Sequence, residues 1–472
     1  MNQNNISAAE LFQRVRELLM LPELKPQTRN KMMHDTLILC CHEGVKDTKQ
    51  AFGNLFSQVD YLCKARGIKV SDKIAIQTMR RHSNSQEPLS GEDLKYDARA
   101  LALFISAVFG VDVPHELNVL IPHTPRPYQK GLEINNRRIR CIVKNWDGDF
   151  IRVDIDQDAD EEEYLVQLKD EENHIDHTYL WDILKEGMQL NLLDCQVKQP
   201  IITPRLIVVE PDYLVDISSI ATCFTAFGHH PLLYLLNLMK PRANTQATLL
   251  GNFAGAALDD IINSHGKYQM NETVKSNFRE KALEFCTCPW FDPKKFYTDA
   301  SLQAFNLQQV VDILFPRTAS QAQMTALRGE SLYDRKKAIL EPSFVCEALG
   351  IQGRVDLMTT DCKLLVEQKS GRNMNIETHQ VDPGYHSYQL EPHYVQLLLY
   401  YGVLQHNFKL SNDRVNIRLL YSKYRPQDGL MVVAYYQKLF KEAIQYRNQL
   451  VAASFEIAKE GFEHTLNEFT PE

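Results

Sequence analysis

The chain has 472 residues, 44% of them apolar and 24% charged, with a formal net charge of -8. That composition is globular rather than disordered, and the length suits roughly three domains of ordinary size. The acidic balance excludes a uniformly basic nucleic-acid coat while leaving room for a local basic groove.

The opening stretch "MNQNNISAAE" has no basic n-region or apolar h-region, and the longest apolar run, "ALALFISAVFGV", is shorter than the roughly 18 residues a membrane span needs. A cytoplasmic chain without membrane contact is expected. From Ala8 to about Leu120 apolar residues recur at helical spacing, as in "AFGNLFSQVDYLCKARG", which predicts a helical bundle over 1–127. Over 128–215 the pattern changes to short alternating runs, "RRIRCIVKNWDGDFIRVDI", "EEYLVQL" and "PRLIVVEP", broken by turn residues such as "WDGD". These predict a small β-barrel or OB-like module. The acidic run from Asp154 to Tyr164 lacks the glycine of a calcium loop and reads as a solvated hairpin. Over 216–472 helices return, interrupted by the strand-like "GIQGRVDLMTT", "KLLVEQKSG" and "DRVNIRLLYSKY" and closed by an amphipathic helix from about Leu430. That is α/β order, a mixed sheet flanked by helices. The ten cysteines include no C-x-x-C pair, and "CTCP" at Cys286 and Cys288 lacks zinc spacing, so structural thiols are expected.

One short stretch concentrates the chemistry. In "KLLVEQKSGR" a buried-looking strand ends on Glu367, Gln368 and Lys369. If it forms a hairpin with "GRVDLMTT" about Asp361-Cys362, Asp356 falls opposite Glu367 on one face. Opposed carboxylates repel unless something positive lies between them, and a divalent cation is the natural candidate. Lys369 shares that face and could orient a water or bind a phosphate oxygen, and the Gln368 carbonyl is available to a hard cation. The alternative is an ion-pair network that only holds the hairpin together. Glu341 could add a carboxylate or simply end a helix. Gln396 and Tyr400 stand i and i+4 on a helix and could hold a nucleotide or pack an amphipathic face.

Taken in order, Glu341, "GRVD" ending at Asp356, "EQK" from Glu367 to Lys369, and Gln396-x-x-x-Tyr400 resemble the PD-(D/E)XK nucleases of the RecB-like branch. "EPDYLVDISSIATCF", "LLGNFAGAALDDII" and "LLYSKY" look like versions of the nuclease half of flap-processing replication helicase-nucleases, and the likeness covers about Val208 to Ala458. The resemblance implies a restriction-endonuclease-like core over 216–472 and Mg²⁺- or Mn²⁺-dependent hydrolysis of single-stranded or flap DNA. Asp356, Glu367 and the Gln368 carbonyl would hold the metal, and Lys369 would position the attacking water. Arg317, Arg328, Arg335, Lys336 and Lys337 are candidates for the phosphate backbone, with an ordinary solvated helix face as the alternative.

The chain departs from that family in three places. Cys223 stands near the first position of the branch's iron–sulfur cluster, but no cysteine follows Cys362, so no cluster is expected. The family helix reads G-x-x-x-His where this one reads Gly251 to Gly255, so the usual histidine ligand is missing. Asp259, one turn beyond Gly255, is the candidate replacement, and Asp260 points away. No P-loop motif occurs, so no ATP site is expected and a motor would be a separate helicase domain or subunit. The other reading is a nuclease-fold DNA-binding or docking module that does not cut.

Overall fold

Ser7 opens the first helix, α1 (Ala8–Met20), with a reciprocal cap. Its hydroxyl accepts from the Glu10 N–H at 3.3 Å, and the Glu10 carboxylate accepts from the Ser7 N–H at 2.8 Å. The computed structural model describes residues 6–21, 24–126, 136–156, 163–240, 243–381, 388–410 and 414–461, with 463, 464 and 467. Two compact units emerge: 1–213 with 451–472, and 214–450.

In the first unit α2 (Pro26–Val45), α3 (Leu55–Ala65), α4 (Val70–Ser83) and α5 (Gly91–Phe109) follow α1, as the helical spacing predicts. Their apolar stripes share one core in which Leu11, Leu37, Val59, Ile76 and Leu101 are sealed from water. The alternating runs then form β1 (Arg138–Asp147), β2 (Phe150–Ile155), β3 (Tyr164–Gln167), β4 (Gln189–Leu193), β5 (Gln196–Lys198), β6 (Ile201–Thr203) and β7 (Leu206–Val209). Asp147 pairs with Phe150 across Gly148 and Asp149, so "WDGD" is the expected tight turn. The strands order as β5-β6-β3-β2-β1-β4-β7. That order has two free ends, so the described strands make an open sheet and no closed barrel. The acidic run is described only at its ends, since 157–162 lies outside the described residues. There Asp154 pairs with Lys73 at 3.1 Å and Lys144 at 2.7 Å, and Asp156 pairs with Arg80 and Arg81. This first end is ion-paired rather than freely solvated, whereas Glu163 at the other end is exposed.

The second unit is built on a five-stranded sheet of β9 (Ala338–Leu340), β12 (Leu357–Thr359), β13 (Leu364–Lys369), β14 (Asn416–Tyr421) and β15 (Leu430–Val432), in that order. A three-stranded sheet sets β11 (Ile351–Arg354) between β8 (Val215–Asp216) and β10 (Ser343–Cys346). β13 and β14 are parallel and joined through a crossover helix, α8 (Glu391–Phe408), the connection a parallel pair requires. Two further long helices, α6 (Gln246–Asn263) and α7 (Pro293–Leu314), bury Phe253, Leu258, Phe296 and Val310 against Leu364 and Val366 of β13. The chain is therefore mixed α/β. No helix among the described residues is long and apolar enough to cross a membrane.

Two sequence expectations need correction. "GIQGRVDLMTT" is not one strand: the chain leaves the first sheet at Arg354 and enters the second at Leu357, with Val355 and Asp356 as the step between. The terminal helix, α9 (Gln437–Glu460), starts seven residues later than Leu430, because Leu430, Met431 and Val432 pair with β14 as its antiparallel edge neighbour. An apolar run of three cannot signal which partner will claim it.

Candidate functional site

The β12–β13 register is the one expected from the sequence. Leu357 faces Val366 and Met358 faces Leu365, and the same register carried one residue past the end of β12 would set Asp356 across from Glu367. A turn closed by the Cys362 N–H on the Thr359 carbonyl at 2.8 Å sets this pairing, while the Thr359 hydroxyl accepts from Lys363 and Leu364. Because Asp356 lies at the step between sheets, its side chain is free to turn inward. It accepts from the Gln368 N–H at 2.5 Å. The N–H and C=O of one strand residue leave on the same edge, so the Gln368 carbonyl lies on the Asp356 side.

Side chains alternate along β13. Glu367 and Lys369 share one face, with Lys369 Nζ 2.8 Å from Glu367 Oε1. Gln368 turns to the other face, where it donates to the Ser422 hydroxyl at 2.7 Å. Ser422 in turn donates to Gln303 Oε1 at 2.6 Å, and Gln303 donates to the Ser370 carbonyl at 3.2 Å. This buried polar chain fixes the end of β13. Sequence reasoning missed Gln303 and Ser422, although a glutamine on the buried face of α7 was a readable signal. It also missed His393, which faces Lys369 closely enough that burial and that ammonium push the imidazole down to about 4.

Glu367 is only 4% exposed, and its Oε2 is buried without a hydrogen-bond partner. Burial, and then the neighbouring Asp356 charge, raise the Glu367 pKa, with Lys369 pulling the other way. Asp356 is raised too, by burial first, against the Gln368 N–H and Lys369. Asp259 reaches the same field from α6: burial, then the charges of Glu341 and Asp356, push its carboxyl up to about 7. A Cβ built at Gly255, one turn earlier, meets nothing within 4 Å, so the space beside Asp259 on that face is open. Asp260 is turned elsewhere, accepting from the Thr273 hydroxyl at 2.5 Å. Glu341 lies at the edge of the cluster, paired with Arg354 at 3.0 Å.

Because Asp259 protonates more readily in the folded protein than its ordinary value of 3.8 allows, it contributes stability that is full below about pH 4 and lost as pH rises through about 7. Metal-free protein should therefore become more stable from about pH 8 down to about pH 5. Asp259→Asn should remove on the order of 1–2 kcal/mol of that slope, after allowance for solvent screening. Urea midpoints measured in EDTA across this window check it; an unaltered slope in the variant contradicts it.

Tyr400 completes the site from α8. Its hydroxyl donates to the Arg354 carbonyl at 2.6 Å, and burial, then Glu367 and Asp356, raise its pKa. The contact requires a glycine in "GRVD": a Cβ at Gly353 would stand 3.0 Å from both Tyr400 Cε1 and Oη. Gly353→Ala should shift Tyr400 and cost about 1–3 kcal/mol of stability. A denaturant midpoint equal to wild type would show that the contact gives way freely. Gln396 is half-buried one turn before Tyr400.

The basic candidates scatter. Arg317 donates to the carbonyls of Ser264 at 2.7 Å and Gly266 at 2.8 Å, and Arg335 donates to that of Ile262 at 2.7 Å. Both are occupied holding the C-terminal end of α6 and its following loop, where cations are favourable. Lys337 pairs with Asp361 at 3.0 Å. Arg328 and Lys336 are exposed.

The donor set is oxygen-only around an unpartnered buried carboxylate atom, which fits a hard divalent cation. Among the described residues no three His, Cys, Asp or Glu side chains gather tightly enough to hold an ion by themselves. Mg²⁺ commonly takes one or two carboxylates and completes its sphere with water and phosphate, whereas a closed zinc site needs four protein ligands. No protein-family model matches the chain, and no curated protein is significantly similar to it.

Proposed function

We propose that the chain is a metal-dependent DNA nuclease of the PD-(D/E)XK type, RecB-like branch, acting on single-stranded or flap DNA. In this reading 216–472 is a restriction-endonuclease-like domain and 128–215 an OB-like module. The observation that carries the reading is the convergence of Asp356, Glu367 and Lys369 on one face, with Glu367 Oε2 buried and unpartnered. Asp356, Glu367 and the Gln368 carbonyl would hold Mg²⁺ or Mn²⁺, with Asp259 in the place of the missing histidine and Glu341 reaching it through water. The cation supplies a lowered water pKa and neutralises charge on the phosphate. Lys369, held by Glu367, presents its ammonium to the attacking water and to the charge that grows on the phosphoryl oxygens. Tyr400 braces the strand that delivers Asp356.

A second reading, a DNA-binding or docking module without cleavage, is favoured by the empty space at Gly255 and by the Lys369–Glu367 pair, which already satisfies one carboxylate oxygen. Incubation with 5′- and 3′-labelled single- and double-stranded DNA in Mg²⁺, Mn²⁺ or EDTA separates them. Metal-dependent fragments support the nuclease; intact DNA in every condition supports the second reading.

A further inference from the structure

Trp290 is 98% exposed, and it sits at a backbone φ of +57°, which is strained for a bulky residue. Apolar burial does not explain it. The residue lines a cleft of about 510 Å³ that is also lined by Ser370, Gly371 and Arg372, the residues that directly follow Lys369. Lys295 and Lys423 line the cleft, and among the described residues neither has a carboxylate within ion-pair distance. Arg372 adds a third cation, shared with Glu377. Of the two lining carboxylates, Asp292 is turned to the first amides of α7, accepting from Lys294 at 3.0 Å and Lys295 at 3.1 Å. Asp299 is the other lining carboxylate, and Glu377, paired with Arg372, also lies in the field of Lys423. Half-exposed Leu302 adds apolar surface to the lining.

The cleft adjoins the candidate site along the chain, since Ser370 on its lining directly follows Lys369. Helix α6 begins in it at Gln246 and Leu250, passes Ser370 at Gly251, where a Cβ would stand 3.2 Å from the Ser370 hydroxyl, and brings Asp259 to the carboxylates about 13 Å further along its axis. A solvent-exposed aromatic residue in one cleft with several cations is the chemistry that holds unpaired bases by stacking and their backbone by charge.

We propose that this cleft is a binding groove for single-stranded DNA, in which a base stacks on Trp290 and Lys295 and Lys423 hold the flanking phosphates. The proposal rests on the nuclease reading only for what happens next to the strand; binding itself needs no cleavage. The test uses a fluorescein-labelled thymidine dodecamer and the full chain in EDTA, followed by anisotropy. Trp290→Ala should weaken binding about tenfold, Trp290→Phe should retain most of it, and Lys295→Glu with Lys423→Glu should flatten the salt dependence. Because the ring is in solvent, the melting temperature of Trp290→Ala should equal that of wild type. A duplex of the same length should compete poorly, since its bases cannot stack on the ring. Equal affinity of wild type and Trp290→Ala, or no binding by wild type, overturns the groove. If wild type cuts DNA while Trp290→Ala binds normally, the groove fails and the nuclease reading stands; Trp290-dependent binding without cutting in Mn²⁺ supports the groove and removes the nuclease.

Discussion

Asp356→Asn should abolish metal-dependent DNA cleavage, a loss of at least about 10³-fold, while leaving the metal-free protein as stable as wild type or slightly more so. The two expectations come from the same feature. Burial makes both Asp356 and Glu367 hard to ionise, and the Asp356 charge raises Glu367 further, so removing that charge relieves repulsion. An asparagine oxygen can still accept from the Gln368 N–H, which keeps the step between the sheets in place. A structural ion-pair network predicts the reverse: breaking a buried pair leaves an uncompensated charge and costs about 3–5 kcal/mol. Unfolding in EDTA alongside cleavage in Mn²⁺ distinguishes them, and a large loss of metal-free stability would favour the structural account.

Lys369→Ala should cut the cleavage rate by about 10²–10³-fold with Mn²⁺ affinity largely retained. The ammonium, 2.8 Å from Glu367 Oε1, cannot be a ligand while protonated. Its removal frees a carboxylate oxygen rather than subtracting one from the metal's set. Calorimetry in which the variant no longer takes up Mn²⁺ would contradict this division of roles.

The sequence carried the site further than the fold around it. Hairpin register follows from where the turn falls, so the opposition of Asp356 and Glu367 was readable, and strand alternation put Lys369 beside Glu367. The i+4 step from Gly255 to Asp259 was equally local. What remained hidden depends on distant chain. Nothing in "GRVDLM" records that it passes between two sheets at Val355, and Leu430–Val432 joined a sheet because β14 had an open edge. That Arg317 and Arg335 are held by carbonyls at the end of α6 was not readable locally, because those partners lie more than fifty residues away in sequence. The Gln303–Ser422–Gln368 chain joins three separate elements and has no local pattern.

We propose that the Asp356–Glu367–Lys369 face holds a divalent cation and cuts DNA with it. The most direct measurement follows melting temperature and cleavage of a labelled single strand in one preparation as Mn²⁺ is raised, for wild type and Glu367→Gln. The account predicts that stabilisation and cleavage rise together, with about 2.7 kcal/mol of stabilisation once the metal reaches a hundredfold excess over its Kd, and that both vanish in the variant. Cleavage that persists in EDTA, or a wild type that neither gains stability nor cuts at any Mn²⁺ concentration, would contradict it.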